Sequence, residues 1–235
     1  MTQCIWCRTH FPGGPPEHTI QEGLDGYAVT DKVCLGCNNR IGSHLEGAAE
    51  GFPLIVKARR RLGLIKINTP PAPDEKVFKR LVVKMALEFL AERAYTVALD
   101  PSFNSWRELV LYGKHEDVLL PKVSVEDIYA SKPGYAPVLN GRNLKHAIFI
   151  DTINGELQLA VHLYGQILCK VNLGHTTHDV PKDHVVMSIQ DGASKVFRWS
   201  ERDSWLGQKI VIPGMKRKKG RRKPEPWFRQ NRSLT

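Results

Sequence analysis

The chain has 235 residues, with 34 lysines and arginines against 24 acids and a formal net charge of +10. Its apolar fraction of 42% supports a folded core, and no run of about 18 apolar residues occurs, so no transmembrane helix is expected. The start, Met-Thr-Gln-Cys, has neither a basic nor an apolar segment, which predicts no signal peptide and a reducing, cytoplasmic setting.

Residues 4–42 carry most of the chemistry. Cys4-Ile-Trp-Cys7 and Cys34-Leu-Gly-Cys37 are two knuckles, each pointing two sulfurs at one place. Two disulfides or a redox pair are the alternatives. The paired two-residue gaps, without a secretory signal, favour one tetrahedral zinc with a closed, structural shell. Such an ion folds a segment too short to build its own core. A loop, Pro12-Gly-Gly-Pro-Pro16, leads from the first knuckle to Glu17-His18-Thr19-Ile20. Neighbours on a strand face opposite ways, so a bend or strand end is needed for Glu17 and His18 to serve one ion. Residues 26–33 (Tyr27, Ala28, Val29, Val33) return as a strand. Residues 38–50 read as a helix beginning near Asn38, with His44 on a different face from Asn38. A carboxylate and an amide oxygen are hard ligands for Mg²⁺ or Mn²⁺, and a histidine beside such an ion can take a proton from water.

These residues resemble the HNH endonucleases, the ββα-metal fold, in the branch with four zinc cysteines and Glu-His in place of Asp-His. The matching positions are Cys4, Cys7, Glu17, His18, Ile20, Gly26, Cys34, Cys37 and Asn38. The resemblance implies that His18 is the general base and that Glu17 and Asn38 hold one catalytic divalent cation. Departures are Gln21 where the family has proline, Asp25-Gly26 where it has Gly-Gly, and no clear match for its middle asparagine, Asp31 lying nearest. The match covers about a fifth of the chain.

Lys57-Ala-Arg59-Arg60-Arg61 is a basic cluster, read as a grip on phosphate or as a solvated helix face, and Thr69-Pro-Pro-Ala-Pro73 is a stiff connector. Residues 74–98 form the best helix of the chain, capped by Asp74. Val77, Phe78, Leu81, Val82, Met85, Phe89 and Leu90 face the core, while Lys79, Arg80, Lys84, Glu88 and Glu92 mostly fill the other face. A shorter helix spans 101–112 and stops at Gly113.

Residues 114–143 read as loops. Residues 145–173 read as an antiparallel meander: a strand from His146, a hairpin at Asn154-Gly155, alternation at Leu157, Leu159, Val161 and Leu163, a turn at Tyr164-Gly-Gln166, and a third strand through Ile167, Cys169, Val171 and Leu173. Cys169 falls in the buried phase and reads as a core residue. Residues 183–189 suggest a fourth strand. His162, His175, His178 and His184 form a loose histidine group without a matching cysteine or carboxylate, so solvated loop histidines are preferred over a metal site.

Residues 213–235 hold nine lysines and arginines against the single acid Glu225, so the charge is largely a tail property. Lys216, Arg217, Lys218, Lys219, Arg221, Arg222 and Lys223, with Trp227-Phe228, suit a phosphate backbone and stacking on bases. A solubilising tail is the alternative.

The expected architecture is α+β: a zinc-stabilised HNH-like domain (1–52), a basic and proline-rich connector (53–75), a helix-pair and meander domain (76–212) and a basic tail (213–235). The expected activity is metal-dependent hydrolysis of DNA phosphodiester bonds, in restriction, phage defence or a mobile element, aimed by intrinsic preference or by a targeting protein or complex. A zinc-knuckle nucleic-acid-binding protein without catalysis is the alternative.

Overall fold

The computed structural model describes residues 1–14, 16–24, 26, 29–64, 74–128, 145–180, 183–188 and 194–198. The expectations for the proline-rich connector, the basic tail from Lys216 to Arg232 and the side chain of His184 lie outside the described residues.

Helices and antiparallel sheets are mixed along the chain. β1 (Thr2–Gln3) pairs with β2 (His10–Phe11) across the first knuckle. β3 (Glu17–His18) pairs with β4 (Val29–Thr30), placing Glu17 opposite Thr30 and His18 opposite Val29. α1 (Leu35–Ile41) starts immediately after Cys34 and runs through a π turn, Gly42–Glu46, into α2 (Gly47–Ala49). There follow α3 (Pro53–Arg61), α4 (Glu75–Arg93), α5 (Tyr95–Ala98), α6 (Asn104–Tyr112) and α7 (Glu116–Leu119). The strands β5 (Val123–Asp127), β6 (Lys145–Ile153), β7 (Glu156–Leu163), β8 (Ile167–His175), β9 (Asp183–Ser188) and β10 (Ser194–Arg198) form one antiparallel sheet in the order β10-β9-β6-β7-β8-β5.

The meander forms for the reasons its sequence gives. β7 alternates between part-buried and buried residues along its whole length, and Leu157, Leu159, Val161 and Leu163 take the inner face. Asn154-Gly155 (φ 54° and 78°) and Tyr164-Gly165 (φ 55° and 65°) turn the chain with both central residues at positive φ. That geometry matches the twist of the flanking strands, and glycine adopts it freely. Cys169 is fully buried on β8, as its phase requires.

Three expectations are corrected. Lys84 and Glu88 do not sit on an outer face of α4: both are fully buried. The helix is covered nearly all round, by the N-terminal segment on one side and the large sheet on another, so it has little solvent face left. Residues 53–61 are not connector but helix, with Ile55, Val56 and Ala58 in the core. Residues 114–143 are not all loop: α7 and the edge strand β5 lie there, β5 pairing with β8 from Val123↔Val171 to Asp127↔Ile167.

One hydrophobic core runs from Ile5 and Leu24 near the N-terminus, through α4, to Val161 and Val171 in the sheet. Phe52 stacks on Phe78 with ring centroids 4.0 Å apart. The buried guanidinium of Arg107 on α6 donates from Nε to Ile5 O (2.6 Å) and from Nη1 to Asp100 O (3.0 Å), tying the first knuckle to the helices. Among the described residues no helix is long and apolar enough to cross a membrane.

Candidate metal centre and the acidic pocket beside it

The four knuckle cysteines meet. The Sγ atoms of Cys4, Cys7, Cys34 and Cys37 all lie within 4.8 Å of one another, and Cys7 Sγ is 3.7 Å from Cys34 Sγ. Four sulfurs around a tetrahedral zinc, at about 2.3 Å each, stand about 3.8 Å apart. The donor set and its spacing fit a structural zinc, and all five cysteines of the chain are free thiols. The local fold explains the convergence. Cys4 N donates to Thr9 O and Arg8 N to Cys4 O, which closes the first turn, while Cys34 N donates to Cys4 Sγ (3.3 Å) at the start of α1. Sharing a hydrogen bond with Cys37 holds the Cys4 thiol down to about 5 and pushes the Cys37 thiol up in return.

Beside β3 lies a pocket of about 280 Å³ lined by Pro16, Glu17, His18, Gln21, Glu22, Gly23, Glu46, Gly47 and Glu50. Four of these are carboxylates and none is lysine or arginine. β3 is only two residues long, so it satisfies the need for a strand end between Glu17 and His18. Glu17 is buried and His18 half-buried, yet both border this one pocket.

Beneath the pocket Lys84 reaches up from α4. Its Nζ donates to His18 O and to Glu46 Oε1 (3.0 Å), and lies 2.8 Å from Glu17 Oε1 and 3.0 Å from Glu88 Oε2. Trp6 Nε1 donates to Glu88 Oε1 at 3.1 Å. One ammonium thus serves three carboxylates, and burial dominates the balance. Loss of water pushes Glu88 up to about 8 and raises Glu17 as well, while the surrounding carboxylates keep Lys84 charged despite its burial.

The loop between β3 and β4 is held from the meander. Leu24 O accepts from His146 Nε2 (2.8 Å) and from Tyr164 Oη (3.1 Å), and Tyr164 N donates to His146 Nδ1 (3.3 Å). Both ring nitrogens of His146 are thereby used in the neutral form, and burial lowers its pKa to about 4. From the other side Arg59 Nη1 donates to Gly23 O at 3.2 Å.

Glu17 and His18 are therefore brought together at the pocket, with Glu17 already paired to Lys84. Asn38 sits on α1, two turns before Glu46 on the same continuous helix, and is not among the residues that line the pocket. Arg61 donates to Asp127 Oδ1 (3.4 Å) and Gln166 Oε1 (3.1 Å), so it and Arg59 are engaged within the chain, beside Arg60 on the last turn of α3. Asp31 is exposed and bonded to Lys32. His162 is half-buried in the sheet and His178 pairs with Asp100 Oδ2 (2.7 Å). Among the described residues the knuckle cysteines are the one group of His, Cys, Asp and Glu close enough to close a shell on an ion. Gln21, Glu46, Glu50 and Lys84 are site residues that sequence reasoning missed. Only the unbroken apolar surround of Lys84 and Glu88 in α4 signalled that those charges are inside.

No protein-family model, curated protein or solved structure matches this chain.

Proposed function

We propose that the chain is a metal-dependent nuclease that hydrolyses phosphodiester bonds in DNA, with His18 as general base. The observation that carries this reading is the lining of the pocket: one histidine among four carboxylates, with no lysine or arginine. A phosphodiester cannot approach such a surface unless a cation stands between. A bound divalent cation supplies charge stabilisation of the phosphate and the leaving oxygen. The chain's own residues do the rest. His18 takes a proton from the attacking water, and its backbone is fixed by the Lys84 bond to His18 O. Glu17 and Asn38, from the hairpin and the helix, are the cation ligands the HNH resemblance implies. The four knuckle sulfurs, with zinc, hold hairpin and helix together. The net charge of +10 and the basic, aromatic-containing tail suit a nucleic-acid partner.

A second reading is favoured by one observation: Glu17 is buried and its charge is met by Lys84. A zinc-stabilised nucleic-acid-binding protein without hydrolysis would show the same pairing.

Relaxation of supercoiled plasmid separates them. The nuclease reading expects nicked or linear product with Mg²⁺ or Mn²⁺, none with a chelator of those ions, and none from His18→Ala, which still retards DNA. Retardation without product at any divalent ion supports the second reading.

A further inference from the structure

We infer that Tyr112, with Arg40 and Lys114 beside it, is a binding site for an unpaired stretch of nucleic acid: one base stacks on the ring, and the neighbouring phosphates meet the two cations. Tyr112 closes α6 and is 54% exposed. The helix stops there because Gly113 takes φ 69°, so no further turn covers the ring. Arg40 Cζ, from α1, stands 5.2 Å from the centre of that ring, and Lys114 Nζ 5.7 Å. Both lie within the reach of about 6 Å of a cation–π contact. The fold thus brings one open aromatic ring and two cations together from helices far apart in sequence.

These cations are not used up on acids. Among the described residues no carboxylate pairs with the exposed Arg40. Lys114 reaches Glu108 at 3.8 Å, with both side chains open to water, and the other oxygen of that carboxylate already meets His115 at 2.8 Å. An exposed pair of that length is worth little. Glu116 is taken by Lys76 and Arg80. Arg40 therefore has its charge to offer to a partner from outside, whereas Arg59 and Arg61 are engaged within the chain.

A ring with cations beside it is the chemistry of single-strand binding. Every base has a π face, so stacking tolerates sequence while arginine and lysine take the backbone. A base inside a duplex is already stacked on its neighbours and would have to be unstacked first. The surface also leads toward the site. Residues 35–45 hold no acid. Gly36, Arg40, His44 and Gly47, spaced by four and three, are exposed on α1 and its continuation, and Gly47 borders the pocket beside His18. That a strand held at Tyr112 is cut at this pocket rests on the nuclease reading, whereas its being held at Tyr112 does not.

Fluorescence anisotropy tests this, with a labelled oligothymidine strand and a labelled duplex, the zinc-loaded full-length protein, and no added Mg²⁺ or Mn²⁺. We expect the single strand to bind, Tyr112→Leu to weaken it at least about fivefold, and Tyr112→Phe to bind as the parent does. Duplex affinity should change by less than about twofold in either variant. Arg40→Gln with Lys114→Gln should lower the slope of log affinity against log salt for the single strand by about 1.4. All three side chains are exposed, so the variants should keep the parent's melting temperature and zinc content. No binding of the oligonucleotide by the parent, parent-like affinity in Tyr112→Leu, an equal loss on the duplex, or an unchanged salt slope overturns the inference. Plasmid cleavage that persists alongside any of these leaves the nuclease reading standing. Losses that follow the ring and the cations, in a protein that cuts no plasmid with any divalent cation, sink the nuclease reading and uphold the site. Binding to anionic phospholipid vesicles that Arg40→Gln abolishes, with none to the oligonucleotide, overturns it in favour of a membrane surface.

Discussion

Lys84 Nζ and Glu17 Oε1 stand 2.8 Å apart, with side chains 0% and 6% exposed. A residue from the middle of the long helix therefore sets the charge of a two-residue strand far away in sequence. Lys84→Met removes the one cation shared by Glu17, Glu46 and Glu88 and leaves buried carboxylates uncompensated. We expect a loss of about 3–5 kcal/mol in denaturant unfolding. Lys84→Met with Glu88→Gln should recover part of that loss above about pH 8, where Glu88 would otherwise be charged. Equal stability of Lys84→Met and the parent would show that the cluster is not the buried pair described.

The same cluster gives a pH signature. Between its ordinary 4.5 and about 8 Glu88 keeps a proton in the folded chain that the unfolded chain has released. Its contribution thus falls as pH rises, by up to about 1.4 kcal/mol per pH unit. His146 and His162 act oppositely. Burial lowers both from 6.5 to about 4, so between those values the unfolded chain binds protons that the folded chain refuses. From these groups stability should climb to a maximum near pH 6.5 and decline toward about 8. Unfolding midpoints measured across this range check the curve, and Glu88→Gln should flatten the alkaline limb and steepen the acidic one.

The sulfur cluster should hold one zinc per chain by elemental analysis. Cys7 and Cys34 are the more open members, and Cys4 and Cys37 are buried behind them. After chelation, four thiols should react with a thiol reagent while Cys169, buried in the sheet, reacts only on unfolding. The chelated chain should melt at a markedly lower temperature, because zinc binding free energy is folding free energy for so short a segment.

The meander's part in the site is open to a direct test. His146→Ala removes one of the two donors to Leu24 O and the acceptor of Tyr164 N. It should cost about 1–3 kcal/mol, and Tyr164→Phe about 1 kcal/mol. Because both act on one oxygen, the double variant should lose less than the sum of the two. Amide exchange at Leu24 and Gly26, which donate to Gln21 O, should quicken in either variant.

Much of this fold is legible in the sequence, because local rules suffice for it. The alternation of β7, the Asn154-Gly155 turn, the Asp74 cap and the paired knuckles each act within a few residues. What was not legible depends on distant partners. Nothing in α4 itself tells that Glu17 and Glu46 neutralise Lys84, so its charges read as a solvent face. β5 is short, half-polar and at the sheet edge, and only β8 reveals it. Gln21 reads as a departure from the HNH pattern, whereas in the fold its amide bridges the loop to Glu46 and borders the pocket. Asn38 lies one residue after Cys37, where the motif puts it, but the acidic lining continues along its helix at Glu46 and Glu50.

The central claim is that His18 removes a proton from water beside a cation. Chemical rescue tests it most directly. Plasmid cleavage by His18→Ala is measured with Mn²⁺ present and increasing imidazole. The account predicts cleavage by the parent, its loss in the variant, and a return with imidazole that saturates and grows with the fraction of free base. Parent-like cleavage by His18→Ala without imidazole, or no cleavage by the parent with any divalent cation, would contradict it.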